Sequence, residues 1–256
     1  VSLFLATDSF AATMNFSSKK KISQETDVQR PLAALRVGEK LEYDVYWMGF
    51  HVGLGTTEVR EKVVRNGRDT YHIVAIARTN DFLSKLYPVQ DEIHSYIDVE
   101  KFHSVEFSKD LKEGRYRAIE RTVYDYPNKK RIYERQKTKE VVELPLEGSV
   151  HDPVSAFYWF RLQPIKIGQT VRTSVNSRDK DWDVEIKVLE RKFKELRGGR
   201  SIETILVEPK TKYREIFYDR GRVWVYFSAD ERRVPVWVTF RTPFGPVNGV
   251  LRSGSD

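Results

Sequence analysis

Between Gly38 and Leu251 apolar and polar residues alternate with a period of two in one segment after another, a spacing that strands with one buried and one wet face satisfy. Leu41, Tyr43, Val45 and Trp47 alternate with Glu42, Asp44, Tyr46 and Met48. Tyr71, Ile73, Ala75 and Ala77 repeat the pattern, as do Trp182, Val184, Ile186 and Val188. Met48-Gly49 and Asn66-Gly67 suit tight hairpin turns, and Gly53 and Gly55 permit a bend or a close backbone approach. About a dozen strands follow from this reading, more than one flat open sheet holds. The expected fold is all-β and mainly antiparallel, a strongly curved sheet or an incompletely closed barrel.

The alternation breaks once. Asp152-Pro153 reads as a helix start, with the Asp side chain capping free amides and Pro at the first helical position, where its missing donor is harmless. Val154, Phe157, Tyr158 and Arg161 then share a face, Trp159 and Phe160 widen it, and Gln163-Pro164 ends it. A helix of about three turns is not stable alone, so these aromatics must pack on the sheet. Asn80 to Leu86 is expected to form a helical turn, and Ile132 to Glu143 one long charged edge strand. Tyr213 to Tyr218 reads as a further strand, turning through Asp219-Arg220-Gly221 into Val223 to Phe227.

Outside the alternating region the chain is different in kind. Val1 to Ala12 is a short apolar stretch closing on small residues, with Ser9 and Ala11 placed as a secretory cleavage site requires, and Asn15 to Arg36 is a polar tail carrying Lys19, Lys20 and Lys21. The expected organisation is a signal-peptide remnant and flexible tail over 1–37, a single β-rich domain over 38–251, and a polar tail over 252–256. No stretch approaches the roughly 20 apolar residues of a membrane helix. The absence of cysteine removes disulfides, thiolate zinc sites, iron–sulfur clusters and a Cys nucleophile. The net charge of +7 is one-sided: residues 149–256 hold 20 basic against 14 acidic side chains, residues 38–148 hold 19 against 20. That asymmetry suits peripheral contact with an anionic membrane surface. Nucleic acid is not expected, because the basic stretch Lys187, Arg191, Lys192, Lys194, Arg197, Arg200 is interleaved with Glu185, Glu190 and Glu195 and has only Phe193 for stacking.

Several segments taken together carry a resemblance. Gly38-Glu39-Lys40-Leu41-Glu42-Tyr43-Asp44-Val45-Tyr46-Trp47 followed by Gly53, Asp91 to Asp98, His151-Asp152-Pro153-Val154-Ser155-Ala156-Phe157-Tyr158, and Trp224 to Pro235 with its Ser228-Ala229-Asp230 turn resemble the DUF3108 family of bacterial exported proteins. The resemblance covers Gly38 to Leu251 and implies a β-rich protein of the periplasm or cell envelope, with no established activity. More loosely, a curved sheet with an inserted helix is similar to the half-open barrels of periplasmic lipoprotein carriers.

The expected function is non-catalytic: binding an apolar or amphipathic envelope component, a lipid or lipoprotein, or an envelope partner protein. Phe157, Tyr158, Trp159 and Phe160 on the helix, with Trp47 and Trp182 on the sheet, are the candidate ligand-binding residues. As a lid, the helix would leave a cavity of several hundred cubic ångströms beneath it, and as core filling it would not. The alternatives are a structural scaffold with a filled core and an enzyme acting on envelope glycans. Asp91, Glu92, His94, Ser95 and Asp98 lie close in sequence, but alternation splits them between two faces, and Glu92 and Asp98 stand about 20 Å apart along an extended strand. The five histidines show no zinc-ligand spacing, and no Gly-x-Ser-x-Gly elbow, phosphate loop or dinucleotide fingerprint occurs. No catalytic residue, metal or cofactor is expected.

Overall fold

In the computed structural model, residues 35–196, 198–211 and 222–254 are described. The expected signal-peptide remnant and most of the N-terminal tail, the strand over Tyr213 to Tyr218 with its Asp219-Arg220-Gly221 turn, and the last two residues lie outside them.

A meander opens the fold with β1 (Lys40–Trp47), β2 (Phe50–Arg65) and β3 (Arg68–Thr79). The short α1 (Asp81–Ser84), capped by Asn80, leads into β4 (Gln90–Asp98), β5 (Ser104–Glu113), β6 (Tyr116–Asp125), β7 (Lys130–Arg135) and β8 (Glu140–Pro145). After α2 (Pro153–Arg161) a second meander comprises β9 (Thr170–Ser177), β10 (Lys180–Glu195), β11 (Ser201–Thr211), β12 (Arg222–Ser228), β13 (Pro235–Thr242) and β14 (Gly245–Gly254). All strands join one antiparallel sheet in the order β8 to β1, then β14 down to β9, so the first and last strands pair and stitch the two meanders together.

The sheet does not close on itself. β8 and β9 are its two edges, and the chain between them crosses the gap, where His151 makes a parallel bridge to Val175 of β9 and Ser104 of β5 donates its N–H to the Val150 carbonyl. Side chains finish the seam. Tyr124 Oη donates to Asn176 Oδ1 at 2.9 Å, Arg131 Nη2 donates to the Asp179 carbonyl at 2.8 Å, and Arg131 pairs with Asp181. The all-β, incompletely closed architecture expected from the alternation is the one observed.

Two expectations are corrected. Ile132 to Glu143 is a hairpin rather than one strand, because the chain reverses at Gln136 to Lys139, with Lys139 in the left-handed region at φ 53°. β14 runs on to Gly254, past the expected end at Leu251, since Leu41 and Glu42 of β1 pair with Gly254 and Ser253.

The core lies between the halves. Val59, Ile73, Ala75, Ile93 and Ile97 of the first meander meet Val154, Tyr158 and Leu162 from α2 and its cap. Val188, Ile205, Val207, Val225 and Phe227 of the second meet Phe160. One short helix therefore supplies apolar surface to both meanders.

Candidate functional site

α2 is held at both ends by buried polar groups. Asp152 Oδ1 accepts the N–H groups of Val154 and Ser155 at 2.8 Å, as a helix cap should, while Oδ2 accepts the hydroxyls of Ser95 and Ser104, both at 2.7 Å. The same carboxylate thus caps the helix and fastens it to β4 and β5. Burial pushes the Asp152 pKa up, and the hydrogen bonds from Ser104, Ser95 and the helix amides oppose that rise. At the other end, Arg161 donates from Nη1 and Nη2 to the two oxygens of Glu39 at 2.6 and 2.8 Å, and from Nε to the Arg232 carbonyl at 3.0 Å. Both partners are fully buried.

These anchors set what the interior can hold. The space beside the first turn of α2 is a cavity of about 20 Å³, lined in part by Ile93, Lys109, Glu120, Tyr133, Val154 and Arg178. That accommodates about one water, against the several hundred cubic ångströms of a ligand pocket. Tyr158 and Phe160 are buried, and Phe157 and Trp159 are half-buried against the second-meander core. Trp182 is half-buried on β10, while Trp47 is exposed at the tip of the β1–β2 hairpin. The six aromatics named from the sequence do not converge on a common space.

The polar motifs also separate. Asp91 and Ser95 are buried with Ile93 and Ile97 on one face of β4, where Asp91 Oδ1 accepts the Lys112 N–H at 2.9 Å. On the other face His94 Nδ1 lies 2.9 Å from His72 Nε2, with Glu92 beside His94 and Glu61 beside His72. Among the described residues no group of three or more histidines and acids is arranged to hold a metal ion. In the basic stretch Lys192 pairs with Glu190, Arg191 with Glu203, and Lys194 covers the Trp237 ring, as in a solvated hairpin; Arg197 lies outside the described residues.

A feature the sequence reading did not single out lies at one end of the sheet. Seven aromatic side chains are exposed among the described residues, and six of them, Trp47, Phe50, Phe82, Tyr87, Tyr116 and Phe244, sit on or beside turns at that end, with Met48 and Leu86 among them. Phe50, Phe82, Leu86 and Phe244 are 72 to 76% exposed, so they project rather than pack. The turns touch in series. Trp47 Nε1 donates to the Phe244 carbonyl at 3.0 Å, and Met48, at φ 51°, packs on Gly245. Gly53 lets β3 approach so closely that a Cβ would stand 2.1 Å from the Arg78 carbonyl oxygen, and just beyond, Asn80 donates its backbone N–H to Val52 and its side-chain amide to His51. The Tyr87 ring lies on Gly114, where a Cβ would meet it at 2.7 Å. The result is a continuous apolar crescent across four connections.

Comparison with known proteins adds the following. A family model, DUF3108, described as a protein of unknown function, matches residues 42–252. No curated protein matches. Among solved structures, a β-barrel-like protein of the domain of unknown function DUF1849 from Brucella abortus superposes with a TM-score of 0.54 at 9% identity, covering 86% of this chain and 98% of its own. A Bacteroides fragilis NCTC 9343 protein with a YmcC-like fold, itself proposed to be exported, gives a TM-score of 0.32 at 9% identity over 86% and 97%. The first likeness shows a shared fold and nothing further.

Proposed function

The chain belongs to the DUF3108 family, and on that premise we propose that it is a non-catalytic protein of the bacterial periplasm or cell envelope that engages an amphipathic envelope component or partner protein through its apolar crescent. The observation that carries the reading is the placement of six of the seven aromatics exposed among the described residues at one end of a sheet whose core is occupied by α2. A carrier that encloses an acyl chain needs a large internal cavity, and the 20 Å³ beside α2 does not provide one. Exposed apolar clusters rimmed by polar residues are instead features of contact surfaces. An envelope location is supported by the family resemblance, and no described helix is long and apolar enough to cross a membrane.

The apolar packing of α2 against both meanders among the described residues also favours a scaffold reading, and the crescent distinguishes the two. A photoreactive residue placed at Phe82 is expected to capture an envelope lipid or protein in cells, and one placed at Phe193, an exposed aromatic away from the crescent, is not. Equal capture at both positions, or none at Phe82, overturns the proposal.

A further inference from the structure

We infer that the occupant of the crescent is the surface of an anionic bilayer, into which the turn tips dip; this rests on the functional reading above and names its partner. Charge complementarity favours it. Within two residues of the four connections that form the crescent, Arg78, Lys85, Arg115, Arg117 and Arg241 are exposed, and so is Lys112, which pairs with Asp110 at 2.9 Å. The acids in the same windows are Asp81, Asp91 and Glu113, and of these only Asp81 is exposed. Projecting apolar tips ringed by cations are what an interface of acyl chains beneath anionic headgroups accommodates, with aromatic rings at headgroup depth and basic side chains against phosphates.

The form of the surface agrees with its charge. Turns ordinarily carry small polar residues, because those satisfy local backbone groups and tolerate left-handed angles. Met48 occupies such a left-handed position without that chemistry, and Phe82 and Phe244 stand exposed on connections where none of the described residues buries them. Separate projecting tips can enter a fluid interface one by one, and they need no matching protein surface. The β7–β8 and β9–β10 turns at the same end carry no exposed aromatic, so among the described connections the apolar tips are confined to the β13–β14 to β5–β6 side.

Vesicle flotation with the full chain tests this. The protein is expected to float with phosphatidylethanolamine–phosphatidylglycerol vesicles, to remain below with phosphatidylcholine vesicles, and to be released as salt is raised. Phe82→Ser combined with Phe244→Ser should weaken binding by about tenfold or more, since each ring forfeits apolar burial. Lys85→Glu with Arg115→Glu should abolish binding, and Phe193→Ser should leave it unchanged; all are surface changes, with unaltered circular dichroism and melting as the check on folding. Lack of flotation with the anionic vesicles overturns the inference, as does binding that survives the Phe82/Phe244 change but is lost with Lys187→Glu and Arg191→Glu. If vesicles fail while a photoreactive residue at Phe82 captures a protein, the membrane inference falls and the functional reading stands. If both fail, both fall.

Discussion

Glu39 and Arg161 lie 122 residues apart in sequence, and neither has water to fall back on. The bidentate geometry satisfies both charges, and Arg232 Nη2 stands 3.7 Å from the same carboxylate, so it is removal of Glu39 that leaves the Arg161 guanidinium buried and uncompensated. Glu39→Ala should lower stability by about 3–5 kcal/mol, whereas Glu39→Met combined with Arg161→Met should cost far less, because two charges are then desolvated no longer. Urea unfolding reads the difference as a shift in midpoint at constant slope. Asp152 presents a second case. Alanine there removes a helix cap, about 0.5–2 kcal/mol, and deprives the Ser95 and Ser104 hydroxyls of their acceptor. A total loss above about 2 kcal/mol is expected, and a loss no larger than an ordinary cap deletion would show that the serines re-pair, for which Ser104 and Ser155, 2.8 Å apart, are placed.

At the level of elements, α2 acts as the packing centre of two meanders. Phe160 is buried with its ring 5.0 Å from that of Phe227, so Phe160→Ala should destabilise by about 3–5 kcal/mol. Phe157 is half-buried at the edge of the same cluster, and its truncation should cost clearly less. Thermal or urea denaturation of the two variants side by side checks the ranking. The helix and its cap were legible in the sequence because capping and periodicity are local. So was the sheet: most strand boundaries follow from alternation, and Met48-Gly49 and Asn66-Gly67 turn where expected. The hairpin inside Ile132 to Glu143 was not legible, since Gln136-Lys137-Thr138-Lys139 contains no Gly, Asn or Pro and Lys139 takes a left-handed angle without advertising it. The second role of Asp152 was hidden for a different reason, its serine partners being 57 and 48 residues away. The crescent was hidden most completely. Met48, Phe82, Tyr116 and Phe244 spread over most of the chain, and only the order of strands brings their turns to one end.

For the whole molecule, the seam ties stability to pH. His103 and His151 are buried where the chain crosses between the sheet edges. Burial is the main cause that lowers His103 to about 4, with Asp98 pulling upward and Arg68 and Lys101 adding to the fall. Burial also lowers His151 to about 3, with His103 the second cause, and His72 is shifted in the same direction. His103 and His151 are therefore neutral in the fold at pH values where the unfolded chain, titrating near 6.5, takes up protons. Their contribution is complete above about pH 6.5 and is lost as pH falls toward the folded values, at up to about 1.4 kcal/mol per pH unit for each. Asp152, raised by burial, acts in the opposite sense and recovers part of the loss. Asp98, Glu106 and Glu208, lowered by their partners against the opposing effect of burial, add to the loss mainly below about pH 5, as unfolded carboxylates take up protons. The window from about pH 6.5 to 5 thus belongs mainly to the histidines. Unfolding free energy should decline through it, and His151→Phe, which keeps a ring against Trp159, should remove its share of the slope while leaving the backbone bonds to Ser174 and Asn176 in place. A slope unchanged in that variant would mean that His151 gains a proton in the folded state, so that water reaches the seam and the gap between β8 and β9 is open.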